Sequence, residues 1–226
     1  MSSLKTFITI LLIALCISTS DAQEGEVGFG IGGLTYTGEL ERGYNFLNNR
    51  PAATVFYRVN LNEALALKFP ITFGMLRDSD NNPTDPFASQ RNASMNIFLM
   101  EGSLQFEYNF LKFRDNIYQR WSPYFFGGIG LFLFSGEGER TTQYSNIQVA
   151  LPFGMGIKYI MNPRWVVGVE FGFRKTFFDY LDNISEGDPT LKNYQYGNQL
   201  ENDWYYFLGI TLSYTFYKIH CPYPNW

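Results

Sequence analysis

The sequence has little charge, and it has no long apolar segment after its first 22 residues. Only 17% of its 226 residues are charged, against about 25% in an ordinary soluble domain. A transmembrane helix needs roughly 20 consecutive apolar residues, and no such run follows residue 22. A helical membrane protein is therefore excluded. The formal net charge of -4 also argues against nucleic acid as a partner.

Histidine and cysteine are nearly missing, which limits the chemistry of the chain. The one histidine is His220, and the two cysteines are Cys16 and Cys221. A tetrahedral zinc site needs four ligands, more than these residues supply. An acyl-transfer triad needs a base that contacts a nucleophile and an orienting acid together, which the neighbouring His220 and Cys221 cannot readily do. We therefore expect no cofactor, no metal and no enzymatic activity.

The first 22 residues have the pattern of a secretory signal peptide. Lys5 precedes an apolar run over residues 7–17, and Ser20-Asp21-Ala22 supplies small residues before a cleavage site at Gln23. Leu15 stands before Cys16, where a lipoprotein signal needs a small residue. We predict a signal peptide over residues 1–22, a barrel over residues 23–216 and a tail over residues 217–226.

Apolar and polar residues alternate with period two through most of the remaining chain, which is typical of strands with two different faces. Eight strands are predicted, at residues 25–37, 52–60, 64–74, 96–110, 122–134, 147–160, 164–177 and 203–216. Short connections alternate with long ones, as in a transmembrane barrel with short periplasmic turns and long extracellular loops. The pattern predicts an all-β, eight-stranded antiparallel transmembrane β-barrel in the bacterial outer membrane. A water-soluble sandwich is the alternative for any single strand.

If the bulky apolar residues of each strand face lipid, the residues between them face the lumen. An eight-stranded barrel has an interior that side chains just fill, so these charges are expected to pair as a polar plug with poor conductance. Trp121, Trp165, Trp204 and Phe216 lie near strand ends, where interfacial girdles are found. The predicted lumen charges are Arg58, Lys68, Glu101, Glu107, Lys158, Glu170 and Arg174.

Residues 28–33 read Gly-Phe-Gly-Ile-Gly-Gly and formally match a dinucleotide-binding fingerprint. That motif requires a helix after a strand, whereas here the alternation of Val27, Phe29 and Ile31 places it inside a strand. Leu34 and Tyr36 continue in the opposite phase, so we expect a β-bulge at Gly32-Gly33.

Two groups of acidic residues could form a catalytic site or a calcium site, but each has a simpler structural interpretation. Glu101 and Glu107 could form a carboxylate dyad, but both are predicted among lumen cations, so ion pairing is the preferred interpretation. The acidic segment at residues 178–188 could bind calcium, but its spacing is not that of an EF-hand loop, and a turn with Asx hydrogen bonds is preferred.

An odd cysteine in an exported chain indicates an intermolecular disulfide or an unpaired thiol. Cys221 lies in the short tail, with His220, Tyr223 and Trp226, where aromatic residues could anchor a partner. A frayed end is the alternative. The connection at residues 111–121 adds Lys112, Arg114 and Arg120 on the same predicted periplasmic side.

Several segments resemble the PorG-like outer-membrane barrels of Bacteroidetes. Residues 26–40, with Gly33, Tyr36, Gly38, Glu39 and Leu40, are similar to the family's E-x-G-x-x-x-G-x-x-Y-x-G-D-L start, although Glu39 replaces the usual Asp. The segments FEYNF at 106–110, SPYFFGGIG at 122–130, FDYLDNIS at 178–185 and NDWY at 202–205 follow in the family's order, with a later cysteine.

The resemblance implies a component of the type IX secretion system that attaches a periplasmic ring, made of a lipoprotein and its partner, to the outer membrane. The expected partners are then the ring lipoprotein, other ring or translocon proteins, and outer-membrane lipid. We hypothesise that Cys221 forms a disulfide with the lipoprotein. Two alternatives are a surface adhesin or small passive porin, and an outer-membrane enzyme that acts on lipid or peptide through Glu101 or Glu107.

Overall fold

A computed structural model describes residues 24–37, 49–79, 94–111, 118–136, 146–177 and 204–216. The described residues form eight strands that pair in chain order and close into an antiparallel barrel, in which β8 pairs with β1. The all-β, eight-stranded barrel predicted from the sequence is confirmed. The strands are β1 (Glu24–Thr37), β2 (Arg50–Asn60), β3 (Leu65–Ser79), β4 (Ser94–Asn109), β5 (Trp121–Gly136), β6 (Ile147–Asn162), β7 (Trp165–Thr176) and β8 (Trp204–Phe216).

The two ends of the barrel differ in their connections. Residues 61–64, 110–120 and 163–164 connect strands at one end, which also holds the first residue of β1 and the last residue of β8; we call it the short-turn end. The connections at the opposite, long-loop end fall mostly in residues 38–48, 80–93, 137–145 and 178–203, which lie outside the described residues. The predicted signal peptide over residues 1–22 also lies outside them.

Two of the short turns are built in the same way. The side-chain oxygen of Asn62 accepts hydrogen bonds from the backbone N–H groups of Ala64, at 2.9 Å, and Leu65, at 2.7 Å. Asn162 does the same for Arg164, at 3.0 Å, and Trp165, at 2.9 Å. Such Asx hydrogen bonds stabilise a tight turn, so β2 with β3 and β6 with β7 are each joined by a short, hydrogen-bonded turn at this end.

The outer face of the barrel is a continuous apolar surface. Buried and exposed residues alternate along the strands, as in β2, and the exposed positions carry large apolar side chains, such as Ile31 at 67%, Ile129 at 62% and Phe106 at 59% exposure. Soluble monomers rarely expose contiguous apolar patches above a few hundred Å². This face is therefore suited to lipid. Among the described residues, no helix is long and apolar enough to cross a membrane.

Aromatic side chains flank this apolar band at both ends. Trp165 packs edge-on against Tyr214 near the short-turn end, with ring centroids 5.2 Å apart, and Trp204 packs against Phe153 near the long-loop end, at 6.0 Å. At about 3.3 Å per residue, Trp204 and Tyr214 are ~33 Å apart along β8. With a strand tilt of about 40°, this spans roughly 25 Å, the usual height of the apolar band of a transmembrane barrel.

The expected bulge in β1 is wrong. Pairing with β2 continues without a shift from Gly32 opposite Ala52 to Gly33 opposite Pro51. Leu34 and Tyr36 are instead buried, at 0% and 3% exposure, because they point into the lumen in the regular alternation. The apparent change of phase arises because the lumen itself becomes apolar toward the long-loop end.

The lumen is thus filled in two layers. Polar and charged side chains occupy the half nearer the short-turn end. The other half is closed by a cluster of buried, mostly apolar side chains in which Phe132 contacts Tyr205 edge-on at 5.8 Å. This apolar layer comprises Leu34, Tyr36, Ala52, Leu76, Ile97, Leu99, Phe132, Phe134, Ala150, Tyr205 and Phe207.

Candidate functional site in the lumen and at the short-turn end

Glu107 of β4 is the centre of an ion-pair network in the polar half of the lumen. Its carboxylate lies 2.5 Å from Lys158 Nζ, 2.8 Å from Arg58 Nε and 3.8 Å from Lys68 Nζ. These cations come from β6, β2 and β3, so one carboxylate draws together four strands. Lys158 also donates a 3.0 Å hydrogen bond to Asn109.

The network extends to both sides of Glu107. Arg58 Nη1 lies 2.7 Å from Glu26 Oε2, and the other oxygen of Glu26 accepts a 2.7 Å hydrogen bond from Asn60. Lys68 pairs with Glu170, whose carboxylate also accepts a 2.8 Å hydrogen bond from the Tyr124 hydroxyl. The carboxylates are therefore held by several donors each.

A second, smaller group lies where the polar half meets the apolar layer. Glu101 accepts hydrogen bonds from Arg174 Nε at 3.2 Å, from the Tyr205 hydroxyl at 2.8 Å and from Ser103 at 3.2 Å. Arg174 extends from β7 and Glu101 from β4, so this pair crosses the lumen at about mid-height.

The buried charges of the described residues balance. Each is at most 2% exposed, with four carboxylates and four cations. Burying an unpaired charge costs several kcal/mol, so a neutral set in which every charge contacts an opposite one is what a sealed interior requires. All seven predicted lumen residues are found in this set. The members are Glu26, Glu101, Glu107 and Glu170 with Arg58, Lys68, Lys158 and Arg174.

Aromatic rings and glycines make room for the long cationic side chains. Lys158 Nζ lies 4.3 Å from the centre of the Tyr124 ring, and Lys68 Nζ lies 4.8 Å from that of Phe56. A Cβ added at Gly172 would clash with the Arg174 guanidinium and lie 2.9 Å from the Phe126 ring. Glycine at position 172 therefore leaves room for the Arg174 side chain and the Phe126 ring.

The sequence reasoning missed four members of these groups: Glu26, Asn60, Tyr124 and Tyr205. Glu26 shares the phase of Gly28 along β1, opposite to the lipid-facing Val27, so its inward direction was readable from the same alternation. Tyr124 and Tyr205 are aromatic, and aromatic residues are expected on the lipid face as readily as in a lumen. Composition gives no indication that their hydroxyls bind carboxylates.

Glu101 and Glu107 do not form a carboxylate dyad open to a substrate. Each is at most 1% exposed, and each is contacted by cations of the plug. Within the described ranges, no group of three His, Cys, Asp or Glu side chains is arranged to hold a metal ion.

Of the seven predicted partner-binding residues, Arg120 is among the described residues. Cys221, His220, Tyr223, Trp226, Lys112 and Arg114 lie outside the described residues, as does the acidic segment at 178–188. Arg120 is exposed, and its carbonyl accepts a 2.7 Å hydrogen bond from Ile160 N–H. Tyr118 nearby is 95% exposed and Trp121 is 48% exposed. The short-turn end thus presents an arginine flanked by aromatic side chains, which we call the Tyr118–Trp121 patch.

Known structures share this architecture at low sequence identity. Neisserial surface protein A is 12% identical, with a TM-score of 0.56 over 85% of this chain and 97% of that one. A major outer membrane protein of Thermus thermophilus is 16% identical, with a TM-score of 0.53 over 86% of this chain and 100% of that one. These similarities concern the fold, which is that of bacterial outer-membrane β-barrels.

At the sequence level, no curated protein matches the chain. One family does match, over residues 5–225, which is nearly the full length of the sequence. The chain therefore belongs to the family described as a domain of unknown function, DUF6089.

Proposed function

We propose that this protein is a non-catalytic outer-membrane component of the type IX secretion system, which anchors the periplasmic lipoprotein ring to the membrane through its short turns and tail. The observation that supports it most directly is the doubly closed lumen. A barrel filled by a neutral ion-pair network and an apolar layer offers no route for a solute, so its role is expected to depend on its surfaces.

The orientation follows from the lengths of the connections. Outer-membrane barrels have short turns on the periplasmic side and longer loops outside. In this orientation the short-turn end and both ends of the barrel sequence face the periplasm. The ring is periplasmic, so the Tyr118–Trp121 patch and the tail with Cys221 are the surfaces that it can reach.

The patch has the composition of a binding surface. Tyr, Trp and Arg are the residues most enriched at interaction hot spots. The hydrogen bond from Ile160 N–H to the Arg120 carbonyl holds the patch against the end of β6, so little ordering is required on binding. Lys112 and Arg114 precede it in the sequence and would add positive charge for an acidic partner surface.

A pull-down from detergent-solubilised membranes tests the proposal. The wild-type barrel should co-purify with a periplasmic lipoprotein and its partner, identified by mass spectrometry. The double variant Tyr118→Ala/Arg120→Ala should lower their recovery at unchanged barrel abundance, whereas Arg77→Ala, at the long-loop end, should not. Recovery of no periplasmic ring protein with the wild type would refute the anchor and favour the adhesin interpretation.

The tail is tested separately. If Cys221 forms a disulfide with the ring lipoprotein, non-reducing gels of the purified complex should contain a heterodimer band that reducing agent removes. Cys221→Ser should eliminate this band. If the heterodimer band persists in Cys221→Ser, the disulfide is refuted. Non-covalent anchoring would then still be tested by the pull-down.

The alternatives differ in what they require. A passive porin requires a continuous aqueous path, which the filled lumen argues against, and an enzyme using Glu101 or Glu107 requires these carboxylates to be accessible. An adhesin requires the long loops. Removing residues 186–200 should abolish its function, whereas an anchor should tolerate the deletion.

A further inference from the structure

Two prolines interrupt the barrel ladder in the middle of their strands. Pairing between β3 and β4 passes from Lys68 opposite Gln105 directly to Ile71 opposite Gly102. Pro70 lies in this gap. The second interruption is between β5 and β6, where pairing passes from Gly127 opposite Phe153 to Gly130 opposite Ala150. That gap contains Pro152.

The missing proline N–H groups account for both interruptions. Proline cannot donate to a ladder, and it is normally confined to edge strands or bulges; a closed barrel has no edge. In the observed registers, Pro70 would face Ser103 and Pro152 would face Gly128. The carbonyls of Ser103 and Gly128 therefore each lose the ladder donor that another residue would supply.

The two interruptions lie at the same height, on opposite sides of one strand pair. Within the β4–β5 ladder, Gln105 pairs with Gly128 and Ser103 with Gly130. The affected segments, residues 102–105 of β4 and 127–130 of β5, are thus neighbours. We call this area the β4–β5 wall.

The wall is also thin. Its lumen side carries Ser103, Gly128 and Gly130, which have small side chains or none. On the lipid side, a Cβ added at Gly102 would meet nothing within 4 Å, and one added at Gly127 would meet only Phe153 Cβ at 4.0 Å. An apolar groove lined by residues from all eight strands includes Gly102, Ser103, Leu104, Ile129 and Gly130. Glycine weakens a strand because it has no side chain to pack.

A polar feature lies directly behind this wall. Gln105 Nε2 donates a 3.0 Å hydrogen bond to Ser103 Oγ, which in turn donates to Glu101 at 3.2 Å. The Gln105 side-chain oxygen is fully buried and has no hydrogen-bond partner. The chain ends at Arg174, whose Nη1 is likewise buried without a partner. Each end of this chain therefore has a buried polar atom that makes no hydrogen bond within the protein.

We propose that the β4–β5 wall is a lateral opening, through which small uncharged molecules dissolved in the membrane reach the Glu101–Ser103–Gln105 hydrogen-bond chain. The strand pair swings outward between the two proline interruptions, where the fewest ladder hydrogen bonds must break. Entry through either end of the lumen is blocked by the ion-pair network and the apolar layer. This property is independent of the anchor function, since it concerns the membrane-embedded wall.

Thiol labelling in vesicles tests the opening. Ser103→Cys is introduced into a chain whose Cys16 and Cys221 are replaced by serine, and the protein is reconstituted in phosphatidylcholine vesicles. N-ethylmaleimide, which is uncharged and partitions into membranes, should label Cys at position 103 much faster than a sulfonated, membrane-impermeant thiol reagent. Absence of labelling, or equal labelling by both reagents, would overturn the proposal.

Restoring the ladder should close the opening. Pro70→Ala and Pro152→Ala each return one N–H donor, so the double variant should slow N-ethylmaleimide labelling about tenfold or more. Pro51→Ala is the matched control, because Pro51 lies at the start of β2 in an uninterrupted stretch of pairing with β1, and it should leave the rate unchanged. A double variant that labels at the wild-type rate would refute the role of the prolines.

Hydrogen exchange on the unsubstituted protein decides the question if the variants do not fold. The amides of Ser103 and Gly128, which face β3 and β6 at the two interruptions, should exchange at least about tenfold faster than those of Leu99 and Phe132 on the same strands, because local opening exposes them. Uniform exchange along β4 and β5 would overturn the proposal.

Discussion

Arg58 and Glu107 reach across β3 to meet in the lumen, with Nε 2.8 Å from Oε2. The same guanidinium holds Glu26 at 2.7 Å, and the same carboxylate holds Lys158 at 2.5 Å. These contacts join β1, β2, β4 and β6 inside a barrel whose neighbouring strands are already paired. The plug therefore couples strands that the ladder does not.

Replacing the central carboxylate should be costly. Glu107→Gln leaves Arg58, Lys158 and Lys68 without their shared anion, and breaking one partner of a buried pair costs about 3–5 kcal/mol. We expect a loss of this size in the free energy of unfolding, measured by urea titration in lipid vesicles with tryptophan fluorescence. Arg77→Gln, at an exposed position, is the control and should change stability by less than about 0.5 kcal/mol. A loss below that of the control would contradict a central role for Glu107.

Opening the lumen should require changes in both layers. Glu107→Ala/Lys158→Ala removes a neutral pair from the polar half, and Phe132→Ala/Phe207→Ala removes two rings from the apolar layer. In planar bilayers, each double variant should remain non-conducting, because the other layer still fills an interior that side chains just occupy. The combined variant should conduct. Conductance in either double variant alone would show that a single layer closes the barrel.

The strands and the lumen charges were predictable because one rule generates both. Along β3, Leu67, Phe69 and Ile71 alternate with Lys68, so the apolar phase identifies the lipid face and the polar phase the lumen. All eight buried charges obey this rule, although the sequence-based prediction names only seven of them and omits Glu26.

The apolar layer could not be predicted from the same rule, since Leu34 and Tyr36 face the lumen with the residue types that the rule assigns to lipid. The bulge expected at Gly32-Gly33 would have kept apolar residues on the lipid face. The continuous register of β1 with β2 shows instead that the lumen side chains change from polar to apolar along the barrel. The sequence also could not predict which charged side chains pair with one another in the lumen. Glu101 and Arg174 lie on strands that are not neighbours, and only closure of the barrel brings them together.

Two glycines should respond oppositely to the same substitution. Gly172→Ala places a methyl group against the Arg174 guanidinium and 2.9 Å from the Phe126 ring, and overpacking of this kind costs about 1–3 kcal/mol. Gly102→Ala points into open space on the lipid side. It should be neutral, or stabilise by about 0.4–1 kcal/mol through the lower entropy of the unfolded chain. Urea unfolding of both variants measures the difference, and equal effects would contradict the assigned packing of the plug.

The depth of the outer face in the bilayer can be measured with a single charge. Ile129 is 62% exposed on the outer face near the middle of β5, whereas Ser135 is exposed near its long-loop end. An arginine on the lipid face of a barrel costs about 2–4 kcal/mol at the midplane and ~0–1 kcal/mol near the interface. Ile129→Arg should therefore lower the free energy of unfolding in vesicles far more than Ser135→Arg. In detergent micelles, which adapt their shape to a charge, the difference should shrink. Equal costs in vesicles would mean that the apolar band is not immersed as the aromatic girdles indicate, because only a bilayer imposes a dependence on depth.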